Sequence, residues 1–399
     1  MAPPTPPATA DPVAAPTTTA LSAAAHAESL ASYIQAGTEG ADTLGNRGPI
    51  RFNDRGELAE DILQAYWRTG FYVFEGLVAS PEIALLQAEM EQLLDQAPVD
   101  NGALADAKGR PAFGQQFARN PYTMTRPLSD PWGGTTLLGG RHQVQMNQPV
   151  AAASAPKKVV FLMHGMCQTM ASGLRLYGHP QLLQIADSIN GADFVPYNDA
   201  TFVKQPGLGS SVAWHQDGVT HWDSPNWDEG IHGFNFQVQL YATTPHSCLW
   251  VMPGTHKLGK IDIKKLVAEN GGSEQLPGAV PLYCNPGDVT IVNRQALHCS
   301  FPNTSPDMRV SLTFGFHRRS SVLGAQGALS QTALEVYDAQ RIAERAAVIA
   351  VAIDARAQFY PAEPPYSYQP FADLVDEYRF SAATWDTVIK DYNLKDLSI

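Results

Sequence analysis

The sequence predicts a mainly β protein with flanking helices, an α+β chain whose centre is a β-sandwich or jelly roll. Three observations predict it. From about residue 193 the chain breaks into short apolar stretches, at 193–195, 200–204, 212–217, 234–243, 249–252, 289–292 and 308–316. Each has the length of a strand. Turn residues punctuate them, at Pro206-Gly207, Pro253-Gly254 and Pro286-Gly287-Asp288. After Arg319 the strand pattern stops and helical spacing returns, so strands and helices do not alternate as they would in a doubly wound sheet.

Taken in order, residues 1–22 are almost all Ala, Pro and Thr. Such a segment cannot bury a core and is expected to be disordered. Residues 1–25 are read as that tail, 26–55 as an N-terminal arm, 56–320 as the main domain and 321–399 as a helical extension. In the arm, 26–36 is expected to be a short helix and 37–48 a loop. Leu58, Ile62, Leu63 and Tyr66 recur at helical spacing, and Phe71-Tyr72-Val73-Phe74 is a compact strand. Ser80 and Pro81 then open a helix to about Leu94, with Ile83, Leu86 and Met90 on its apolar side. Residues 100–155 show no sustained period. A loop of that length inside a domain is usually functional, and a substrate-covering insertion is expected. Residues 158–163 read as a buried strand and 179–189 as a helix with Leu182, Leu183, Ile185 and Ala186 inward. Residues 333–358 read as a long helix. Its face of Val336, Ile342, Ala346, Ile349 and Ile353 is expected to pack on the barrel or to form a homodimer through the C-terminal helices. A Pro- and Tyr-rich connector at 361–370 and one or two helices over 371–393 complete the chain.

Composition excludes several partners. The formal net charge over 399 residues is −12, and basic pairs such as Lys157-Lys158 and Arg318-Arg319 are isolated. Nucleic acids and anionic membranes need a basic patch, so a small molecule is the expected partner. Cys167, Cys248, Cys284 and Cys299 form no CxxC or zinc-finger pattern and are read as reduced thiols. Met1-Ala2-Pro3-Pro4 opens neither a secretory signal nor a transit peptide, and the apolar run 346–353 is too short to span a bilayer. A cytoplasmic location is expected.

The chemistry centres on Trp214-His215-Gln216-Asp217. Residues two apart on a strand point to the same face, which sets His215 and Asp217 side by side. His298, in Ala296-Leu297-His298-Cys299-Ser300, is the candidate third ligand. Two His and one carboxylate, with positions left open for a bidentate co-substrate and O₂, is the set that non-haem Fe(II) oxygenases use. Arg309 follows eleven residues after His298, enough for a turn and an antiparallel return. Its guanidinium is suited to a two-pronged grip on a dicarboxylate, and Ser300 can add a hydroxyl.

His215-x-Asp217, Pro253-Gly254-Thr255-His256, Gly287-Asp288 and His298-x-Ser300 followed by Asn303 and Arg309 together resemble the phytanoyl-CoA dioxygenase family of 2-oxoglutarate-dependent oxygenases. Gly70-Phe71-Tyr72-Val73-Phe74, the helix after Ser80 and Lys204-Gln205-Pro206-Gly207 also resemble it. The likeness covers roughly 56–318. It implies a double-stranded β-helix of cupin type, Fe(II) on His215, Asp217 and His298, and 2-oxoglutarate with its distal carboxylate on Arg309 and Ser300. It implies O₂ as oxidant, ascorbate as a candidate reductant, and release of succinate and CO₂. Halogenating relatives lack the carboxylate, so Asp217 points to hydroxylation or another oxidation. Where members commonly carry an aromatic residue before the Pro-Gly turn, this chain has Gln237, Gln239 and Tyr241; Gln239 is a candidate co-substrate contact. The competing readings are a cupin-like protein that binds a metal or small ligand without turnover, and a zinc hydrolase, in which Arg309 has no duty.

Other residues are read more plainly. His256 is expected in a turn, His221, His232 and His246 on the surface, with substrate contact the alternative for His221, and Lys204 as a surface lysine, with co-substrate contact its alternative. Cys299 is expected to point away from the metal. Trp222 and Trp227, just after the metal strand, are candidates for an aromatic wall over the substrate.

Overall fold

The computed structural model describes residues 21–218, 221, 228, 230–327 and 335–397. Residues 1–20 of the expected tail and the tryptophans Trp222 and Trp227 lie outside those residues; the end of the expected tail is instead ordered, Ser22 capping a helix Ala23–Ser29. Twelve strands among the described residues form two sheets: β1 (Arg47–Gly48), β2 (Phe71–Phe74), β3 (Tyr122–Thr125), β4 (Val159–His164), β5 (Val195–Lys204), β6 (Val212–His215), β7 (Phe234–Gln239), β8 (Leu249–Val251), β9 (Val280–Leu282), β10 (Val289–Asn293), β11 (His298–Ser300) and β12 (Arg309–His317). The larger sheet runs β1-β2-β10-β7-β12-β5-β4-β3 and the smaller β6-β11-β8-β9. β10 returns between β2 and β7, and β12 returns between β7 and β5, so strands far apart in sequence interleave. This is the wrapping of a double-stranded β-helix.

Alternation along β7 and β12 explains both the core and the cavity. Phe234, Phe236 and Val238 on β7, with Val310, Leu312 and Phe314 on β12, are buried in one cluster. They share it with Leu86 and Met90 of the helix Ser80–Asp95 and with Leu182, Leu183 and Ala186 of the helix Pro180–Asn190. The intervening Asn235, Gln237, Arg309 and Thr313 turn to the other face and line a cavity. Period-two side chains thus give one sheet an apolar outside under helices and a polar inside.

The N-terminal arm differs from its expectation. Residues 37–43 are not loop: a helix runs Ala31–Thr43, closing on the smaller sheet. Its glycines serve close approach. A Cβ on Gly37 would lie 2.5 Å from the Trp250 ring, so only glycine admits this packing. Tyr33 of the same helix stacks on Trp250 with ring centroids 4.6 Å apart. The 100–155 segment is not wholly irregular either, since β3 within it pairs with β4 at the edge of the larger sheet.

The C-terminal helix begins at Ala339 and ends at Phe359. Val336, expected on its apolar face, is instead exposed in a two-residue pairing of Glu335–Val336 with Gln326–Gly327. Ile342, Ala346 and Ile349 are buried within this one chain, against neighbours that include the helix Ala171–Tyr177. The apolar face is therefore already covered without a second subunit. Over 371–393 the expected helices are short: a 3-10 stretch Gln369–Leu374 and a continuous helix over 382–389, with Phe371, Ile389 and Tyr392 buried at separate points rather than along one stripe. No described helix is long and apolar enough to cross a membrane. All four cysteines are free and buried.

Candidate metal centre and its cavity

The two imidazoles face each other across one ladder. β6 and β11 are antiparallel, with His215 opposite His298 in register. Their rings lie 4.0 Å apart, centroid to centroid. The Nδ1 of His215 lies 2.8 Å from the Ala213 carbonyl, and that of His298 lies 2.8 Å from the Ala296 carbonyl. A carbonyl can only accept, so both protons sit on Nδ1 and both Nε2 lone pairs are free to ligate. Burial holds each imidazole below its ordinary pKa and therefore neutral.

Asp217 completes the set by a route the strand rule did not supply. β6 ends at His215, and Asp217 lies on a bend beyond it. The bend is fixed by Gln216, whose amide donates to the Gly259 and Gln295 carbonyls at 2.9 and 2.8 Å and accepts from Ile261 N–H at 2.8 Å. Asp217 N–H then donates to the Arg294 carbonyl at 2.7 Å. Its Oδ1 is 3.6 Å from His215 Nε2 and its Oδ2 is 3.9 Å from His298 Nε2. One ligand atom from each of the three residues lies within 4.8 Å of the others. Burial alone would raise the Asp217 pKa, but the surrounding cations, Arg141 first, outweigh it and hold the carboxylate ionised. Two neutral imidazoles and one carboxylate, all buried, fit a divalent metal with open positions.

Two of the residues that hold this carboxylate were not foreseen. Arg141 Nη1 meets Asp217 Oδ1 at 2.7 Å, and Asn235 Nδ2 donates to Oδ2 at 3.0 Å. Next to Arg141, His142 lies against His215 with ring centroids 4.3 Å apart. The only sequence signal was an Arg-His pair following Gly139-Gly140 inside the unpatterned 100–155 segment.

Arg309 is buried on β12 and lines the same cavity as His298 and Ser300. Its Nε donates to Ser311 Oγ at 2.9 Å, Nη1 to the Ser247 carbonyl at 2.9 Å, and Nη2 to Gln237 Oε1 at 3.3 Å. Burial lowers its pKa to about 10, which leaves it charged at neutral pH. Gln239 is not among the cavity-lining side chains. It accepts from Ser311 at 2.7 Å, behind the guanidinium, and Gln237 occupies the lining position. Lys204 is not at the surface: it pairs in register with Arg309 and donates from Nζ to the Phe301 carbonyl at 2.5 Å. Burial, then Arg309, push its ammonium well below the ordinary range. His221 and His232 are also buried, and His221 Nε2 donates to the Ser321 carbonyl at 2.7 Å. His256 sits in the short turn Thr255–Lys257, and its Nε2 donates to the Trp67 carbonyl at 3.1 Å. Cys299 packs away from the imidazoles in the cluster around Trp214 and Trp250.

The cavity that joins these groups has a volume of about 650 Å³, within the range of small-molecule sites. The phytanoyl-CoA dioxygenase family model matches residues 66–311, which include His215, Asp217, His298 and Arg309. The chain belongs to the phytanoyl-CoA dioxygenase family. With the family comes its class, the Fe(II)- and 2-oxoglutarate-dependent oxygenases. Phytanoyl-CoA dioxygenase 1 of Oryza sativa subsp. japonica is 31% identical over 267 residues, covering 65% of this chain and 88% of its own. Phytanoyl-CoA dioxygenase of Arabidopsis thaliana is 23% identical over 265 residues, covering 64% and 87%. Among solved structures, EctD from S. alaskensis with 2-oxoglutarate and 5-hydroxyectoine overlaps with a TM-score of 0.46 at 19% identity, covering 68% of this chain and 80% of that one. The epimerase SnoN from nogalamycin biosynthesis overlaps with a TM-score of 0.44 at 17% identity, covering 69% and 87%. At such scores these overlaps speak to neither substrate nor reaction. Residues 312–397, including the C-terminal helix, lie beyond the family match.

Proposed function

We propose that this protein is an Fe(II)/2-oxoglutarate-dependent dioxygenase that hydroxylates or otherwise oxidises a small organic molecule, releasing succinate and CO₂. The observation that carries the reading is the convergence of two tautomer-locked imidazoles and one ionised carboxylate on a cavity that also exposes a buried, charged arginine.

His215, Asp217 and His298 would hold the iron. When bound, the metal supplies the activation of O₂ that no side chain here can perform. The chain's own work is positioning. Arg309 and Ser300 would take the distal carboxylate of 2-oxoglutarate, and the bonds from Arg309 to Ser311, Ser247 and Gln237 fix the direction of the guanidinium beforehand. Arg141 and Asn235 orient the Asp217 carboxylate. Trp132, Leu162, Phe202 and Val212 line the cavity with apolar surface that keeps bulk water from the reacting groups.

The test is succinate formation by protein purified anaerobically and supplied with Fe(II), 2-oxoglutarate and O₂, with a broad panel of candidate substrates. Turnover that disappears in His215→Ala and Asp217→Ala supports the reading. Iron uptake with no consumption of 2-oxoglutarate under any condition would instead leave a binding protein. Zinc as the tightly held metal would move the protein to hydrolysis.

A further inference from the structure

The cavity extends beyond what the metal and co-substrate occupy. Its far wall is carried by β4 and by the segment ahead of β3, which lie two and three places from β12 in the larger sheet. Two strand spacings alone are roughly 10 Å. Arg119, Thr123 and His164 line this end, and Asp199 and Asp396 join them.

The other charges here are already answered within the protein. Asp199 Oδ1 accepts the Gly165 and Met166 N–H groups at 2.8 and 3.1 Å, and Oδ2 accepts the Tyr392 hydroxyl. Asp396 accepts from Arg345 Nε at 2.9 Å. His164 is neutral, driven by burial to about 3, and its Nε2 lies 3.4 Å from the Thr123 hydroxyl. At the metal end Arg141 answers Asp217, and Arg309 faces the place a co-substrate carboxylate would take. Arg119 is different. It is half-buried, lines the cavity and makes no hydrogen bond or ion pair among the described residues, though its charge reaches the Asp396 carboxylate and the His164 imidazole. Its backbone neighbour is pinned, Ala118 N–H donating to Asp391 Oδ1 at 2.9 Å. A guanidinium at a cavity wall with none of its N–H groups bonded is suited to an anion that arrives from outside.

We propose that this end receives the anionic head group, carboxylate or phosphate, of the substrate, with Arg119 as its charge partner. The body of the molecule would run over Leu162, Phe202 and Val212 toward the metal. The substrate is then an acidic small molecule with an apolar middle, bound by a protein whose overall charge is itself strongly negative. This rests on the oxygenase reading of the metal end.

The experiment uses full-length protein loaded anaerobically with Fe(II) and 2-oxoglutarate, so that Arg309 is occupied. Octanoate, octyl phosphate and octanamide are the probes, with affinity measured by titration calorimetry. We expect octanoate or octyl phosphate to bind at least about tenfold tighter than octanamide, the better of the two naming the head group. Arg119→Gln should abolish that preference while octanamide binding stays as it was, and Arg119→Lys should restore part of it. Equal affinity for acid and amide in the wild type overturns the proposal, and so does an acid preference that survives Arg119→Gln. If Arg119→Gln is poorly folded, Arg119→Lys and wild type decide. Failure of the oxygenase reading shows separately, as wild-type protein that gives no visible charge-transfer band with Fe(II) and 2-oxoglutarate.

Discussion

The two ends of the cavity are built by different means. At the metal end, strands and the bend after one of them set the candidate metal and co-substrate residues, His215 and His298 on facing strands, Asp217 on the bend after β6, Arg309 on β12, while Arg141 reaches in from the 100–155 segment. At the far end His164 of β4 and Asp199 of β5 are joined by lining from the long 100–155 segment and from the C-terminal extension, tied to the barrel by buried polar contacts. Arg345 bonds Asp396, Tyr392 bonds Asp199, and Leu397 N–H donates to the Tyr197 carbonyl at 2.6 Å. Rigid strands suit chemistry that does not change among relatives, while loops and extensions are where specificity can vary.

The sharpest break would come at the metal end. His215→Ala or Asp217→Ala should lower succinate formation by about three orders of magnitude, as expected when a group acting as part of a unit is removed. Iron retained at wild-type affinity in either variant would separate these residues from the metal. Next in size is a lesion at the far end. Arg345→Ala leaves Asp396 buried and unpaired, a change that typically costs about 3–5 kcal/mol. Denaturant titration should show that loss, whereas an unchanged midpoint would mean the extension is not tied down by this pair.

Arg309→Gln should raise the KM for 2-oxoglutarate by about 10- to 100-fold, the size expected for losing one charged contact. Iron affinity, read by spectroscopic titration, should stay the same. Arg141→Gln has a smaller and conditional effect. It removes the cation facing Asp217, so the metal-free protein should melt earlier and added Fe(II) or Mn(II) should raise its melting temperature more than in wild type. An equal metal-induced rise in both proteins would show that Arg141 does not stand in for the metal's charge.

The smallest effect concerns pH and lies away from the site. Burial, then Arg356 nearby, lower the pKa of His179 from 6.5 to about 3. A depressed imidazole is neutral in the fold and takes a proton only on unfolding, so its contribution is present above pH 6.5 and lost as pH falls toward 3. One unit below 6.5 the loss is about 1.4 kcal/mol. His179→Gln should therefore give a flatter dependence of melting temperature on pH between 7.5 and 5.5. A slope unchanged from wild type would place the proton uptake elsewhere.

Local pattern was enough for much of this protein. Strand-length apolar runs and Gly/Pro turns announced the β core, and His215, Asp217, His298 and Arg309 stood out because their chemistry and spacing fit one kind of site. Even there the reason was partly different, since Asp217 reaches its place through a bend held by Gln216 rather than by continuing the strand. Gly37 read as a loop residue because glycine is usually a breaker; here it allows a helix to sit against Trp250.

What the sequence by itself determined is the chemistry a short stretch can carry: which side chains can bind a divalent metal, which can grip a carboxylate, and which segments can form strands. Only the tertiary structure decided which of the remaining polar residues face the cavity. Arg119, Arg141 and Asp396 come from segments with no period, and Gln237 and Gln239 differ only in which lines the wall. The physical reason is that periodicity is a property of neighbours along the chain. A cavity is enclosed by residues up to 277 positions apart, such as Arg119 and Asp396, whose meeting depends on the packing of everything between them.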